Sequence, residues 1–273
     1  MTIISLLLVL AIERMTTKTK LWQSDFYLSQ YQQFLHRQEW LVDASRQWSV
    51  YFALFLPAII TWLILDIADS TLLSFVTGFA LLMVATGCPH IRAKYKGYLQ
   101  AANRGDFAAR DLYAEQLGYS AEEKDVSFGQ HIIWLNYKYY YAVAVWFVLL
   151  GAPGVAAYLV VRHFAVNAEA DWVKASAQQC QHWLDWIPVR IAALGFLLVG
   201  HFSKALPIWL SMSSELETDA RRLLITVAKA SEDVEPVAED CTEEPCTLLR
   251  LAKRNVMMLL AVVAVLTLAG WLQ

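Results

Sequence analysis

Residues 49–88 read SVYFALFLPAIITWLILDIADSTLLSFVTGFALLMVATGC, and their spacing decides the fold class. Two apolar runs, Ser49 to Leu65 and Thr71 to Cys88, are parted only by Asp66-Ile67-Ala68-Asp69-Ser70. A helix needs about 20 mostly apolar residues to cross the hydrocarbon core, so each run is close to one crossing. The carboxylates of Asp66 and Asp69 are too costly to leave in lipid, so they mark a turn on the far side. The pattern predicts a helical hairpin. Further along lie Ala142 to Phe164, Ile187 to Gly200 and Val256 to Leu272. The first carries Gly151-Ala152-Pro153-Gly154 near its middle, which predicts a kink or a break into two half-helices. The second spans only if Trp183 to Trp186 are counted in, and the third is a clean final crossing. A hydrophobic share of 58%, a mean hydropathy of +0.40 and eleven Trp exceed what one soluble domain of this length usually carries. We therefore expect an all-α integral membrane protein, with five to six membrane helices and amphipathic interfacial and cytoplasmic helices. That composition makes the lipid bilayer the expected partner, while a formal charge of −3 with no Lys/Arg block gives no footprint for nucleic acid.

Lys and Arg concentrate in 14–48, 89–141 and 201–255, which the positive-inside bias places in the cytoplasm. The hairpin turn has neither, and 165–186 has only Lys174, so both face the other side. Met1 to Ile12 lacks a basic start and a small-residue cleavage site, so 1–13 reads as a retained N-terminal membrane helix. Whether it spans is open. If it does, there are six crossings with both termini outside; if not, the N-terminus lies inside.

The remaining segments of this single membrane domain, 1–273, follow in order. Residues 14–48 form an amphipathic cytoplasmic segment, with an interfacial helix over 22–35 carrying Trp22, Phe26, Tyr27, Tyr31, Phe34 and Leu35. Segment 89–141 is cytoplasmic and helical, including a short helix from Asp106 to Leu117 with Asp106 as its N-cap. A kinked membrane helix, 142–164, is followed by a periplasmic or interfacial segment, 165–186, and a membrane helix, 187–200. Trp209, Met212, Leu216, Ala220, Leu223 and Val227 fall three or four apart, so 201–231 reads as one cytoplasmic amphipathic helix. Segment 232–247 is an acidic linker, with seven acidic residues and two prolines between Glu232 and Pro245. Residues 248–273 form the C-terminal membrane helix.

Few residues suggest chemistry. Asp185-Trp186-Ile187-Pro188-Val189-Arg190 puts a carboxylate and a guanidinium at the mouth of an apolar run. With a helix starting near Asp185 and Pro188 in its first turn, Arg190 is expected to pair with Asp185 or another buried carboxylate. The plainer alternative is a snorkelling Arg in an aromatic belt. Asn136-Tyr137-Lys138-Tyr139-Tyr140-Tyr141 reads either as an interfacial anchor or as a polar cradle. In a cradle, the break at Gly151, Pro153 and Gly154 would expose helix-end amides to an anion or a carbonyl group. Gly195 and Gly200 have phosphate-loop spacing, but His201-Phe202 stands where Lys and Ser/Thr are needed, so close helix contact is the better reading. Cys241 and Cys246 have no metal-type partners nearby, and Cys88 and Cys180 read as small apolar residues. The six His form no HxxxH or HExxH, so no metal is expected.

Several of these stretches carry a family resemblance. Trp134-Leu135-Asn136-Tyr137-Lys138-Tyr139-Tyr140, Trp146-Phe147 through Gly151-Ala152-Pro153-Gly154, Asp185 to Arg190, and Gly200-His201-Phe202-Ser203-Lys204-Ala205-Leu206-Pro207 closely resemble the AmpE family. So do Leu6 to Leu10 with Ile12-Glu13-Arg14. The resemblance implies a protein of the bacterial inner (cytoplasmic) membrane, regulatory or signal-modulating, linked to cell-wall recycling and β-lactamase induction. For such a protein we expect Asn136, Lys138, Tyr140, Asp185 and Arg190 to line a polar cavity open to the cytoplasm, where Lys138 and Arg190 suit a small cell-wall or lipid-derived ligand with a carboxylate or phosphate, such as a muropeptide or a lipid-phosphate headgroup. Gly151, Pro153, Gly154, Pro188, His201 and Lys204 complete the expected ligand-binding residues. A signalling protein partner and an oligomer stay open. Trp146 to Tyr158 and Asp185 to Arg190 also resemble, distantly, the CobD/CbiB membrane enzymes, which form amides with ATP. That likeness implies the alternative, a ligase using ATP and Mg²⁺. Where those enzymes carry acidic motifs, this chain reads Gln116-Leu117-Gly118-Tyr119-Ser120 and Gln130 to Asn136. Carboxylates that would hold metal and phosphate are missing there, so the reading leans away from an enzyme and its cofactors.

Overall fold

The computed structural model describes residues 2–15, 22, 24–38, 47–87, 89–120, 126–215, 218–232 and 242–271. Among the described residues there are helices and no strand. In order they are α1 (Thr2–Met15), α2 (Ser24–Arg37), α3 (Gln47–Ala68), α4 (Thr71–Ala85), α5 (Pro89–Asn103), α6 (Phe107–Gln116) and α7 (Phe128–Asn136). A π-helical turn, Tyr137–Tyr141, leads into α8 (Ala142–Asn167), α9 (Asp171–Val199), α10 (Phe202–Ser213), α11 (Ala220–Ser231) and α12 (Glu243–Leu268). Five segments are long and apolar enough to cross a membrane: Trp48–Ala68, Thr71–Asn103, Phe128–Asn167, Asp171–Val199 and Glu243–Leu268. Lipid offers backbone groups no hydrogen bonds, so only helices or closed barrels cross it. At 14 residues, α1 is shorter than these.

The chain divides into two compact units. The first holds Met1–Gly87, Ala142–Pro188 and Val262–Gln273. In it the predicted hairpin is present as α3 and α4. Asp69 turns the chain with φ of 38°, and the Ser70 side chain caps α4 by accepting from the Leu73 amide. Both arms pack on α8 more than on each other. Gly78 on α4 makes room for Phe147, whose ring would lie 3.1 Å from a Cβ there. Helix α2 matches the expected 22–35 helix closely and is docked: Tyr31 Oη donates to the Ala53 carbonyl at 2.8 Å, and Gln32 donates to the Asn167 carbonyl at 3.1 Å. Burial pushes the Tyr31 phenol up to about 12. Leu35, Val50, Leu54, Val161 and Phe164 form the core beneath.

The second unit holds Cys88–Tyr141 and Val189–Ala261. Gly105, with φ of 72°, and Asp106, whose side chain accepts from the Ala109 amide at 3.0 Å, start α6 as expected. Ser127 and Gln130 form a capping box at α7, and Phe128 stacks on Tyr98 at 3.9 Å between ring centres.

Three segments differ from expectation. Helix α9 begins at Asp171 rather than near Asp185, so 165–186 is largely helical, and Pro188 sits inside the helix rather than in its first turn. Nothing between Asp171 and Trp186 breaks a helix, and Asp171 suits the positive N-terminal end. The single amphipathic helix over 201–231 is two helices, because Asp219 turns its side chain onto the Arg222 amide and caps α11. Finally, Glu243 to Thr247 are not linker but the start of α12. Two glutamates complement the helix end there, and Pro245 in the first turn gives up an N–H that had no partner. The rest of the acidic stretch, 233–241, lies outside the described residues.

Candidate functional site

The break in α8 is built by its own residues. At Gly151 the backbone has φ of 65° and ψ of −147°, a region essentially reserved for glycine. Pro153 then lacks an N–H and suits the first turn of the following half-helix. A Cβ on Gly154 would stand 2.7 Å from the Trp146 carbonyl oxygen, so the close approach across the break also requires glycine. Gly151, Ala152 and Pro153 line one wall of a cavity of about 480 Å³. Its other walls carry the hydroxyls of Thr2, Ser5, Ser70, Thr71 and Ser74, the carboxylates of Asp66 and Asp69, and the rings of Trp62, Phe75 and Phe147. The described lining includes no Lys or Arg. Such a wall accepts hydrogen bonds and offers flat apolar faces, and it repels anions.

A second polar cluster in the same unit joins α8 to α9. Asp185 is 2% exposed; it accepts from Tyr158 Oη at 3.1 Å and from Gln181 Nε2 at 3.2 Å. The buried guanidinium of Arg162 lies over the Tyr158 ring, 5.9 Å from its centre. Tyr158 and Arg162 are four apart on α8, as are Gln181 and Asp185 on α9, so each pair shares a helix face. Sequence reading found Asp185 but missed Tyr158, Arg162 and Gln181. The available signal was polar residues at that spacing inside largely apolar helices.

The profile of the family described as "Regulatory signalling modulator protein AmpE" matches residues 1–273. The chain belongs to the AmpE family. Protein AmpE of Shigella flexneri is 27% identical over 294 residues, covering 99% of this chain and 99% of that one. No solved structure matches. Family membership and the five spans make this AmpE-family chain a multi-pass membrane protein and a regulatory signalling modulator.

The expected binding residues of this AmpE-family chain fall in both units. In the first, Gly151 and Pro153 line the cavity, Gly154 supports the break, and Asp185 and Pro188 lie on α9. In the second, Arg190 donates to the carbonyls of Ser213 at 3.1 Å and Glu215 at 2.8 Å, closing the C-terminal end of α10. Lys138 Nζ stands 5.0 Å from the centre of the Trp134 ring, and Tyr140 is a half-buried member of the π turn. Asn136 lines a separate, much smaller cavity. His201 is exposed, with its amide donating to the Ser231 carbonyl at 2.8 Å, and Lys204 is exposed.

The glycine pair is a packing device. A Cβ on Gly195 would meet Asn255 Oδ1 at 2.0 Å, and one on Gly200 would meet the Ser231 carbonyl oxygen at 2.3 Å. Cys180 is buried, and Cys246 Sγ lies 3.8 Å from Tyr95 Oη; Cys88 and Cys241 lie outside the described residues. Among the described residues, no three His, Cys, Asp or Glu side chains are placed to hold a metal ion.

Proposed function

We propose that this chain is a ligand-responsive regulator of the bacterial inner membrane that relays cell-wall status toward β-lactamase induction, and that it reads its ligand at the break in α8. The cavity beside Gly151 carries this reading. Its volume of about 480 Å³ falls in the range of small-molecule sites, about 300–1,000 Å³. Of the two expected ligand classes, the lining fits the uncharged sugar and amide groups of a muropeptide better than a lipid phosphate, with the carboxylates of the peptide stem left outside the acidic wall. Sugar hydroxyls and amide N–H groups find acceptors at Asp66, Asp69 and the serine and threonine oxygens, and sugar faces fit against Trp62 and Phe147. A phosphate would face two carboxylates without a cation in the described wall.

The absence of Lys and Arg from the hairpin turn supports a periplasmic side for this cavity. A ligand held against residues 151–153 shifts the population of α8 geometries only through different contacts in the two states. Gly151 supplies the joint at which those states differ, and the Tyr158–Asp185 bond carries the change into α9. The cytoplasmic segments then present the altered surface to a signalling partner.

Trp62 in the wall provides the readout. Titrating the purified protein in detergent with an anhydro-muropeptide should change tryptophan emission saturably, and Asp66→Asn with Asp69→Asn should weaken binding at least tenfold. A response to a soluble lipid-phosphate headgroup instead, or a response to the muropeptide unchanged in the double variant, would overturn the reading.

A further inference from the structure

In an α-helix, residues five apart are about 140° from each other around the axis. Asn136 and Tyr141 have that separation, yet both line one cavity of about 10 Å³ in the second unit. The π turn Tyr137–Tyr141 accounts for this, because an i→i+5 repeat brings residues five apart to one face. The same cavity is lined by Asn255 of α12 and by Ala192 of α9.

Two polar groups at this place are fully enclosed and lack a partner among the described residues. Tyr141 is 2% exposed and Asn255 1%, and neither Tyr141 Oη nor Asn255 Oδ1 has a hydrogen bond. Asn255 is otherwise fixed, since its Nδ2 donates to the Ala192 carbonyl at 2.9 Å. Leaving two such groups unsatisfied is costly, and their shared cavity is about the size that admits one water, roughly 10–15 Å³.

We propose that the π turn and Asn255 build a binding site for a single water molecule, which accepts from Tyr141 Oη and donates to Asn255 Oδ1, in a cavity that Asn136 also lines. The donor set is neutral, so an alkali cation would lose its hydration without a counter-charge. The water is the polar joint between the π turn and α12. Converting the π turn to α-helix would swing Tyr141 off the face of Asn136 and dismantle the site, so hydration holds the turn in its π form.

Tyr141→Phe separates the alternatives, because it removes only the hydroxyl. With the water in place, the variant should lower the thermal midpoint of the detergent-purified chain by about 2–4 °C. If the hydroxyl has no partner, its removal should leave the midpoint unchanged or raise it, and the proposal falls. A cryo-EM map of the full chain fine enough to show ordered water should place one peak within hydrogen-bonding distance of both atoms, and a map without that peak also overturns the proposal. Replacing sodium by N-methylglucamine should leave the midpoint of the wild type unmoved; a drop confined to the sodium-free buffer would assign the site to a cation instead.

Discussion

Gly151 and Gly195 are required for different physical reasons, and each makes its own prediction. At Gly151 the constraint is backbone conformation. Alanine there would cost about 1–3 kcal/mol, so Gly151→Ala should lower the thermal midpoint, and any ligand response through α8 should weaken with it. At Gly195 the constraint is space, since a Cβ would sit 2.0 Å from Asn255 Oδ1. Gly195→Ala should therefore destabilise the second unit, and Asn255→Ala on top of it should recover part of the loss. Thermal unfolding of the two single variants and the double variant checks this. What the sequence made legible at this scale was local. Gly151 with Pro153 announces a break, and Asp106 after Gly105 announces a cap, because the chemistry lies within a few residues. The Tyr158 partner of Asp185 was not legible: it is 27 positions away, and only the packing of α8 on α9 brings the two together, whereas Gln181 lies one turn earlier on the same helix.

Arg190 shows what changes when whole elements are considered. Sequence reading put its charge in a ligand site or an ion pair, and in the structure its guanidinium also donates to the carbonyls of Ser213 and Glu215 at the end of α10. Arg190→Gln should then fray α10, seen as faster hydrogen exchange in its last turn; exchange unchanged there would show that the guanidinium does not hold that helix end. Docking of α2 has a pH signature. The Tyr31 phenol is raised from 10.0 to about 12, so its contribution is complete below pH 10 and lost as pH rises through about 12. Far-UV and tryptophan signals should report loosening in that window, which Tyr31→Phe should abolish. Helix ends were the least legible part of the sequence. The apolar periodicity over 209–227 runs on past a real helix start, and Asp219 looks like any polar-face residue until its side chain is seen on the Arg222 amide. The start of α9 was hidden for the opposite reason, since Asp171 to Trp186 form a good helix without an apolar run.

For the molecule as a whole, composition and the 49–88 hairpin were enough to fix a helical membrane protein, and five segments of spanning length bear that out. Orientation rests on where Lys and Arg lie. An introduced Asp69→Cys should react with a membrane-impermeant maleimide in intact spheroplasts, and Glu115→Cys should react only after permeabilisation; the reverse pattern would invert the proposed topology. The residues expected to form one ligand site are distributed over both units, and the cavity at the α8 break shares only Gly151 and Pro153 with them. Its remaining lining comes from neighbouring residues of α8 and from the hairpin and α1, the last two of which sequence reading had treated as topology alone. The most direct test of ligand reading is native mass spectrometry of the detergent-purified chain, searching for a retained small molecule. The account predicts an added mass of a saccharide–peptide that persists in Arg190→Gln and disappears in Asp66→Asn with Asp69→Asn. An added mass that survives the aspartate substitutions, or one that fragments to a phosphorylated lipid, would contradict it.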